Sequence, residues 1–494
     1  MYSCVLRKVP QMEGKSIKFI LVTVLTASML QGGSILAQQN ASPANVGLGT
    51  VDKPYRLVDC INVALQKNPI ILEAEQKLEE QKGLVISAKA LLYPKLNLSS
   101  RLEMENDDLF EDQVVGSSPR ERFREDWNIE LVVSHSLYSG GVNRNTVAIS
   151  EMQKEIAFIE YQETINDEIL NVKQSFYEVL LHSGEAKIQR EIIDLLSQEL
   201  LKQKRLFEAG RASKFDIVRT EVRLANEKPD YIEARTRLQI AAINLAEVMG
   251  LAWAGGSDKL PLKVTGMFTC PRLNYKLDEL IERALSKRPE PLRFSKHIQI
   301  EERNENIARA SNIPRLDTFV RGRLERDRSG NSNNNFFDNK TELSCGLLGV
   351  WNIFDGFRGK GEAKAAEARR KGFEVQLDDA NRTIEFDVRR AHLRLQQAES
   401  SVKSQAGNVE KAREALRLVN VSVEAGRNNL FDVLQATVDL NRAQTTELRS
   451  RFAYHQSLAE LEQATFSRKL LVSQQSIVDK TQSANAQSTQ TNSP

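Results

Sequence analysis

The chain contains a long internal duplication. Three short motifs occur twice in the same order: NP and RP at 68–69 and 288–289, LYSG and IFDG at 137–140 and 353–356, and EAGR followed by FD at 208–216 and 424–432. The last two pairs share an offset of 216 residues, and the first pair has an offset of 220. Solenoid repeats are only about 20 to 50 residues long. The duplication therefore predicts one domain made of two similar units, residues 55–250 and 277–470, joined by a linker at 251–276.

The composition favours long helices over an all-β or collagen-like fold. Of the 494 residues, 27% are charged and only 6% are aromatic, and there are 13 prolines and 25 glycines. Proline breaks helix interiors, and none occurs between Pro314 and Pro494, so helices can run uninterrupted there. The 68 basic and 66 acidic side chains nearly cancel, which gives no indication of a nucleic-acid partner.

The N-terminus has the pattern of a secretory signal peptide. Two lysines precede an apolar run at 19–30, which is shorter than the roughly 20 residues that a membrane-spanning helix needs. We expect cleavage after about Ala37, which makes 1–37 the signal peptide and 38–54 a flexible segment. Residues 471–494 are predicted to be a disordered tail.

Neither the cysteines nor the histidines form a known catalytic or metal-binding motif. Cys60, Cys270 and Cys345 are far apart in sequence, which fits neither a disulfide framework nor a zinc site. We interpret them as buried or half-buried side chains. The five histidines lack metal-ligand spacing, and the chain has neither a phosphate-binding glycine loop nor a G-x-S-x-G motif. The sequence therefore predicts a protein that is not an enzyme and has no metal or cofactor.

Four segments alternate between apolar and polar residues with the period of two that is typical of β-strands. They are residues 95–104, 127–138, 315–325 and 342–354. The length of each segment is close to that of a tilted strand that crosses a membrane with one face toward lipid, about 9 to 11 residues. The expected lipid-facing residues are Trp127, Ile129, Leu131, Val133, Leu343, Leu347 and Trp351. A soluble hairpin that packs one face on a core fits the period equally well, and four strands alone cannot close a barrel.

The pattern changes to a helical period after Gly140 and again after Gly356. Each helical stretch continues to a second glycine, Gly210 or Gly426, and a return helix then follows. At 1.5 Å per residue, a helix over residues 143–209 would be about 100 Å long. Apolar residues spaced by three and four along these stretches predict coiled-coil packing. Pro229 predicts a kink or local unwinding of the first return helix near residues 226–231.

The ordered, duplicated set of motifs resembles the TolC-like outer membrane efflux protein family. The resemblance rests on YRLVDCINVALQKNP, SLYSGG, NIFDGFRG and the paired segments RLFEAGRASKFDIV and SVEAGRNNLFDVLQA, and it covers residues 55–470. It implies a mainly α fold with membrane β: a duplicated helix-strand-strand-helix-helix unit. In a homotrimer, four strands per protomer would form a twelve-stranded outer-membrane β-barrel, continued by an α-helical tunnel across the periplasm.

The same resemblance implies a function. The chain would be the exit duct of a tripartite efflux pump or a type I secretion system in the outer membrane of a Gram-negative bacterium. Its partners would be a periplasmic adaptor protein, an inner-membrane transporter and outer membrane lipid. Drugs, metals and proteins leave through the same kind of duct, so the exported substrate stays open.

The two glycine turns are the candidate functional tips of the helices. By resemblance, Asp432 contributes to a periplasmic gate, and Asp216 is its counterpart in the first repeat. Gln435 and Asn428 depart from the family pattern, which weakens the expected ring of charge. The alternative is that each aspartate only stabilises a helix N-terminus, by about 0.3 to 1 kcal/mol. The residues expected to dock the adaptor are Gly210, Arg211, Phe215, Gly426, Arg427 and Phe431.

A function from a different class also fits the signal peptide and the coiled-coil pattern. A periplasmic coiled-coil scaffold or adaptor protein without a channel would have both features. Such a protein would not need four alternating strands of membrane-spanning length, so the strands favour the duct.

Overall fold

The structure is a computed structural model that describes residues 54–106, 123–252, 262–271, 275–326, 340–425, 427 and 429–467. The predicted signal peptide and C-terminal tail lie outside these residues. All described residues belong to one compact unit of the chain, formed by Lys53–Trp253 and Ser257–Pro494.

The two repeats have the same order of elements. The first contains α1 (Leu57–Lys67), α2 (Pro69–Lys89), β1 (Lys95–Asn106), β2 (Phe123–Tyr138), α3 (Val142–Glu208) and α4 (Lys214–Val248). The second contains α5 (Leu277–Lys287), α6 (Glu290–Arg309), β3 (Arg315–Arg326), β4 (Lys340–Val350), α7 (Arg358–Gln405), α8 (Asn408–Glu424) and α9 (Leu430–Ala464). One 3₁₀ turn follows α2, and an equivalent 3₁₀ turn follows α6. The predicted duplicated unit is therefore confirmed.

The long helix differs between the repeats. In the first repeat α3 runs for 67 residues without interruption. In the second repeat the chain leaves the helical conformation at Ala406 and Gly407, which separates α7 from α8. Gly407 has a φ of +82°, a left-handed conformation that glycine adopts without steric cost. The expectation of one unbroken helix up to Gly426 is therefore wrong for the second repeat.

The return helix α4 contains Pro229 but is continuous from Lys214 to Val248. Local unwinding near residues 226–231 is therefore wrong, and the alternative, a kink in a continuous helix, stays a prediction. Proline removes one backbone donor, and packing of α4 along α3 can offset that loss. Glu227 and Ala234 are buried on either side of the proline, which is consistent with this packing.

The four strands form one antiparallel sheet in the order β1-β2-β3-β4. A row of directly opposed residues, Leu98, Leu131, Gly322 and Leu343, fixes the register across all four strands. The predicted fourth strand was too long, because β4 ends at Val350 rather than at residue 354. Trp351 lies beyond the strand, where its indole Nε1 donates a hydrogen bond to the carbonyl oxygen of Asn312 (3.0 Å).

The main apolar clusters lie where the shorter helices of each repeat cover its long helix. In the first repeat, Cys60 of α1 and Leu245 of α4 pack with Val172 of α3. In the second, residues of α5, α7 and α9 pack in the same way, among them Leu280, Val388 and Leu461. Cys60 is buried and Cys270 half-buried, as expected. Cys345 is exposed, because it lies on the apolar face of the sheet, which nothing described covers.

The segment between the repeats is packed against both of them. Tyr55 pairs with Val264 in a parallel β-bridge beside α1. Leu262 belongs to the apolar cluster of the first repeat, and the hydroxyl of Tyr454 in α9 donates to the carbonyl oxygen of Pro271 (2.6 Å). The two repeats are therefore tied together by the chain that connects them.

Candidate functional sites: an amphipathic sheet and two helical tips

One face of the sheet is apolar across all four strands. The register places Leu98 opposite Leu131, and Val133 opposite Val320, so these side chains share a face. The predicted lipid-facing residues Trp127, Ile129, Leu131, Val133, Leu343 and Leu347 all lie on it. Leu343 is 80% exposed, and Leu98 and Leu131 are exposed as well. Trp351, predicted to belong to this set, follows the end of β4 and is not part of the sheet.

The opposite face of the sheet is polar and carries a network of ion pairs. Glu130 of β2 pairs with two arginines of β3, Arg321 at 3.1 Å and Arg323 at 3.7 Å. Arg323 also contacts Glu325 at 3.3 Å. Sequence periodicity predicts the polar character of this face, but it does not predict which strands bring these charges together.

The first helical tip is a tight glycine turn between α3 and α4. Gly210 has a φ of +69°. Its amide donates a hydrogen bond to the carbonyl oxygen of Phe207 (2.9 Å), and the Arg211 amide donates one to the carbonyl oxygen of Leu206 (2.8 Å). These bonds satisfy the last carbonyls of α3, as in a Schellman motif. The second tip has the corresponding bond from the Arg427 amide to the Ser422 carbonyl (2.9 Å).

The two tip arginines have exposed side chains, and Phe215 and Phe431 are exposed too. Within the described part of the chain, neither Arg211 nor Arg427 forms an ion pair. Gly426, the remaining predicted tip residue, lies outside the described residues.

Both candidate gate residues belong to capping boxes. The Asp216 carboxylate accepts hydrogen bonds from the amide (3.2 Å) and the hydroxyl (2.7 Å) of Ser213, which caps α4. The Asp432 carboxylate accepts one from the amide of Asn429 (3.2 Å), which caps α9. Each aspartate therefore stabilises a helix N-terminus, in agreement with the alternative interpretation, while both stay partly accessible to solvent.

The sequence interpretation missed one residue that connects the two tips. The guanidinium carbon of Arg219 lies 4.9 Å from the ring centroid of Phe431 and 5.9 Å from that of Phe215. Such distances are typical of cation–π contacts. The spacing of four between Phe215 and Arg219 was a signal for the contact within α4, but the contact with Phe431 depends on tertiary packing.

The tips and the sheet lie at opposite ends of α3. The helix starts four residues after β2 and ends at the first tip, so at 1.5 Å per residue it separates them by about 100 Å. The tips of the two repeats are adjacent, because Leu430 and Leu434 of α9 pack against Ile192 and Leu196 of α3.

Among the described residues, no group of three or more His, Cys, Asp and Glu side chains could hold a metal ion. None of the described helices is long and apolar enough to cross a membrane.

Comparison with known proteins gives consistent matches over most of the chain. The family model "Outer membrane efflux protein" matches residues 60–251 and 280–465. The chain is 22% identical to the outer membrane protein TolC of Vibrio cholerae over 85% of its length and 93% of that protein. It is 21% identical to the alkaline protease secretion protein AprF of Pseudomonas aeruginosa, over 82% and 83% of the two chains.

Solved structures show the same fold. The CmeC outer membrane channel of Campylobacter jejuni aligns with a TM-score of 0.69 at 14% sequence identity, covering 83% of this chain and 85% of that one.

Proposed function

Because the chain belongs to the outer membrane efflux protein family, we propose that it is the outer-membrane exit duct of a tripartite efflux pump or type I secretion system. The observation that carries this proposal is the amphipathic sheet at one end of a helix about 100 Å long. A protein with this arrangement can place the sheet in the outer membrane and extend its helices across the periplasm.

The strand lengths support the placement of the sheet in a membrane. The strands have 12, 16, 12 and 11 residues, and a tilted membrane-spanning strand needs about 9 to 11. A sheet in lipid must have no free edge, because unpaired backbone groups are costly there. Among the described strands, β1 and β4 each pair on one side only. Three copies that join these edges would close a barrel of twelve strands.

The internal duplication supports the assembly of several copies. Within one chain, α9 of the second repeat packs along α3 of the first. At the offset of 216, the equivalent contact would pair α4 with α7. Within one chain these two described helices make no extensive contact. We expect α4 of one copy to cover α7 of the next.

Exposure of equivalent residues supports the same contact. Tyr177 of α3 is 6% exposed, because α9 and the linking segment cover it, whereas its equivalent Leu393 of α7 is 63% exposed. Leu448 of α9 packs on Gly184 of α3. A Cβ atom added at Gly184 would lie 2.6 Å from Cδ2 of Leu448. The equivalent of Leu448 is Ile232 of α4, which is 64% exposed. Burial of such side chains between copies would remove apolar surface from water.

The tips would be the periplasmic end of the duct. Exposed arginine and phenylalanine side chains at both tips, Arg211, Phe215, Arg427 and Phe431, would dock the adaptor protein together with Gly210 and Gly426. Asp432, and to a lesser degree Asp216, would narrow the closed aperture. Because both carboxylates already cap helices, this gating role would add to a structural one.

A cysteine cross-link tests the assembly and separates the duct from the coiled-coil scaffold or adaptor. In a Cys345→Ser background, Ile232→Cys and Ser400→Cys are introduced together, since Ser400 is the equivalent of Gly184. Oxidation in the native membrane should yield linked dimers and trimers that are extracted only with detergent. The matched pair Gly184→Cys with Leu448→Cys should link within one chain and yield monomers. Monomers from both pairs, released without detergent, would favour the scaffold.

A further inference from the structure

The polar face of the sheet has two adjacent rows that differ from the rest of that face. One row contains Lys95, Ser134, Phe319 and Gly346, and the next contains Asn97, Val132, Arg321 and Ser344. Together they hold two cationic side chains and no carboxylate. The following row toward the long loops contains Glu130, Arg323 and Glu342 and is net negative.

Phe319 is the one aromatic residue on the described part of the polar face. Its ring lies over Gly346 of β4, where a Cβ atom would be 3.1 Å from Cζ of the ring. A side chain at position 346 would therefore displace the ring. The glycine gives Phe319 room to lie along the sheet instead of standing away from it.

Arg321 is held next to this ring. Its guanidinium carbon lies 5.5 Å from the ring centroid of Phe319, and its Nε is 3.1 Å from Glu130. Glu130 also pairs with Arg323, which in turn contacts Glu325, so the two arginines share two carboxylates. Arg321 is exposed, and a guanidinium has five N–H donors, so donors remain for a further partner.

Lys95 supplies a second cation on the row of Phe319. It is exposed at the start of β1 and forms no ion pair with any described residue. One strand, β2, separates it from Phe319, so the two residues are about two strand spacings, roughly 10 Å, apart. The residue between them is Ser134, which is small and leaves the intervening surface open.

We infer that Phe319, Arg321 and Lys95 form a binding site for aromatic anions on the water-facing surface of the sheet. The inference rests on the proposed duct, in which this face would line the lumen. An aromatic ring can stack on Phe319 and the guanidinium plane, while an attached sulfonate or carboxylate accepts hydrogen bonds from Arg321 or Lys95. Three copies would place such sites around one lumen, on the path of any exported molecule.

Channel block in planar lipid bilayers tests the site. Naphthalene-2-sulfonate is added on the side of the long strand loops, so that it reaches the sheet before the helical tunnel. Methanesulfonate has the same charge without a ring, and benzyltrimethylammonium has a ring with the opposite charge. The wild-type channel should be blocked by the naphthalene compound at much lower concentration than by either control.

Three variants separate the contributions. Phe319→Leu keeps Gly346 covered but removes the aromatic face, and Lys95→Gln removes a cation without touching the ring. Each should weaken block by naphthalene-2-sulfonate about fivefold, the effect of roughly 1 kcal/mol. The control Arg101→Gln removes a cation elsewhere on the polar face and should leave the block unchanged.

The outcomes distinguish this inference from the proposed function. A conducting wild-type channel that all three compounds block alike would overturn the site and leave the duct intact. Block of Phe319→Leu and Lys95→Gln by naphthalene-2-sulfonate that is as strong as in the wild type would do the same. A purified protein that never conducts would overturn the duct and the site together.

Discussion

The imidazole of His455 packs against the ring of Tyr177, with 4.6 Å between the two ring centroids. The ring of Phe268, from the segment between the repeats, lies 5.4 Å from His455 and 6.0 Å from Tyr177. This contact therefore joins α9, α3 and the linking segment. Burial lowers the pKa of His455 to about 4. The imidazole is consequently neutral in the folded protein at neutral pH.

Acid should destabilise the protein through His455. The pKa of this residue falls from 6.5 in the unfolded chain to about 4 on folding, so the unfolded state binds the proton first as the pH drops. The contribution to stability is complete above about pH 6.5 and decreases below it, by up to about 1.4 kcal/mol per pH unit, until about pH 4. Thermal dissociation of the assembly at pH 7 and pH 5, measured by heat-modified gel migration, should show the loss in the wild type.

The variant His455→Phe should remove most of this acid sensitivity, because phenylalanine can fill the site without titrating. His392→Gln, at a half-buried histidine of α7, is the control and should behave like the wild type. If His455→Phe loses as much stability between pH 7 and pH 5 as the control, the buried imidazole is not the cause.

A buried ion pair of α9 should matter more than an exposed ion pair of the same helix. Lys173 of α3 and Glu462 of α9 lie 2.6 Å apart with almost no solvent access. Lys173→Met should destabilise the protein by about 3 to 5 kcal/mol, because it leaves an unpaired buried carboxylate. The double variant with Glu462→Met should recover much of that loss.

The exposed pair Arg394–Glu460, at 2.9 Å, is the comparison. Arg394→Met should cost no more than about 1 kcal/mol, since solvent screens exposed ion pairs. Denaturant titrations of the detergent-solubilised variants measure both effects. Equal losses for Lys173→Met and Arg394→Met would contradict the account.

The apolar and polar faces of the sheet could be predicted from sequence, whereas the local exceptions could not. A period of two fixes which residues share a face, so Leu131 and Leu343 were assigned together before their register was known. The repeated glycine motif likewise predicted the turn at Gly210. Gly407 was missed because apolar residues continue at helical spacing on both sides of it, Val402 before and Val409 after. The Arg219–Phe431 contact was missed because it joins helices of different repeats.

A charge on the apolar face of the sheet should prevent assembly in the membrane. Leu131→Arg places an arginine near the middle of this face and should cost about 2 to 4 kcal/mol if the face meets lipid. Ser99→Arg introduces the same side chain on the polar face, opposite Glu130, and should be tolerated. The yield of trimer in outer-membrane fractions compares the two. A normal yield from Leu131→Arg would contradict the assignment of this face.

Charge reversal at the tips should stop export without disturbing the sheet. Arg211→Glu and Arg427→Glu change exposed side chains that have no ion-pair partner among the described residues, so the assembly should be unaffected while adaptor docking is lost. Lys187→Glu, on the exposed side of α3, is the control. Export measured in cells, beside the trimer yield, checks the prediction, and export that survives Arg427→Glu would rule out docking at that tip.

The role of Asp432 can be separated from its function as a helix cap. Asp432→Ala should raise single-channel conductance and reduce block by cations, because it removes a carboxylate from the aperture. Asn429→Ala removes the other half of the same capping box without changing the charge, and it should lower the stability by about 1 kcal/mol. If both variants alter conductance alike, Asp432 acts only through the cap.

Single-channel recording from the purified mature protein in planar lipid bilayers tests the central claim most directly. An outer-membrane duct should insert from detergent and produce discrete, stable conductance steps, and Leu131→Arg should abolish them while Ser99→Arg retains them. A protein that stays soluble without detergent and never produces a conductance step would contradict the account and favour a periplasmic coiled-coil scaffold.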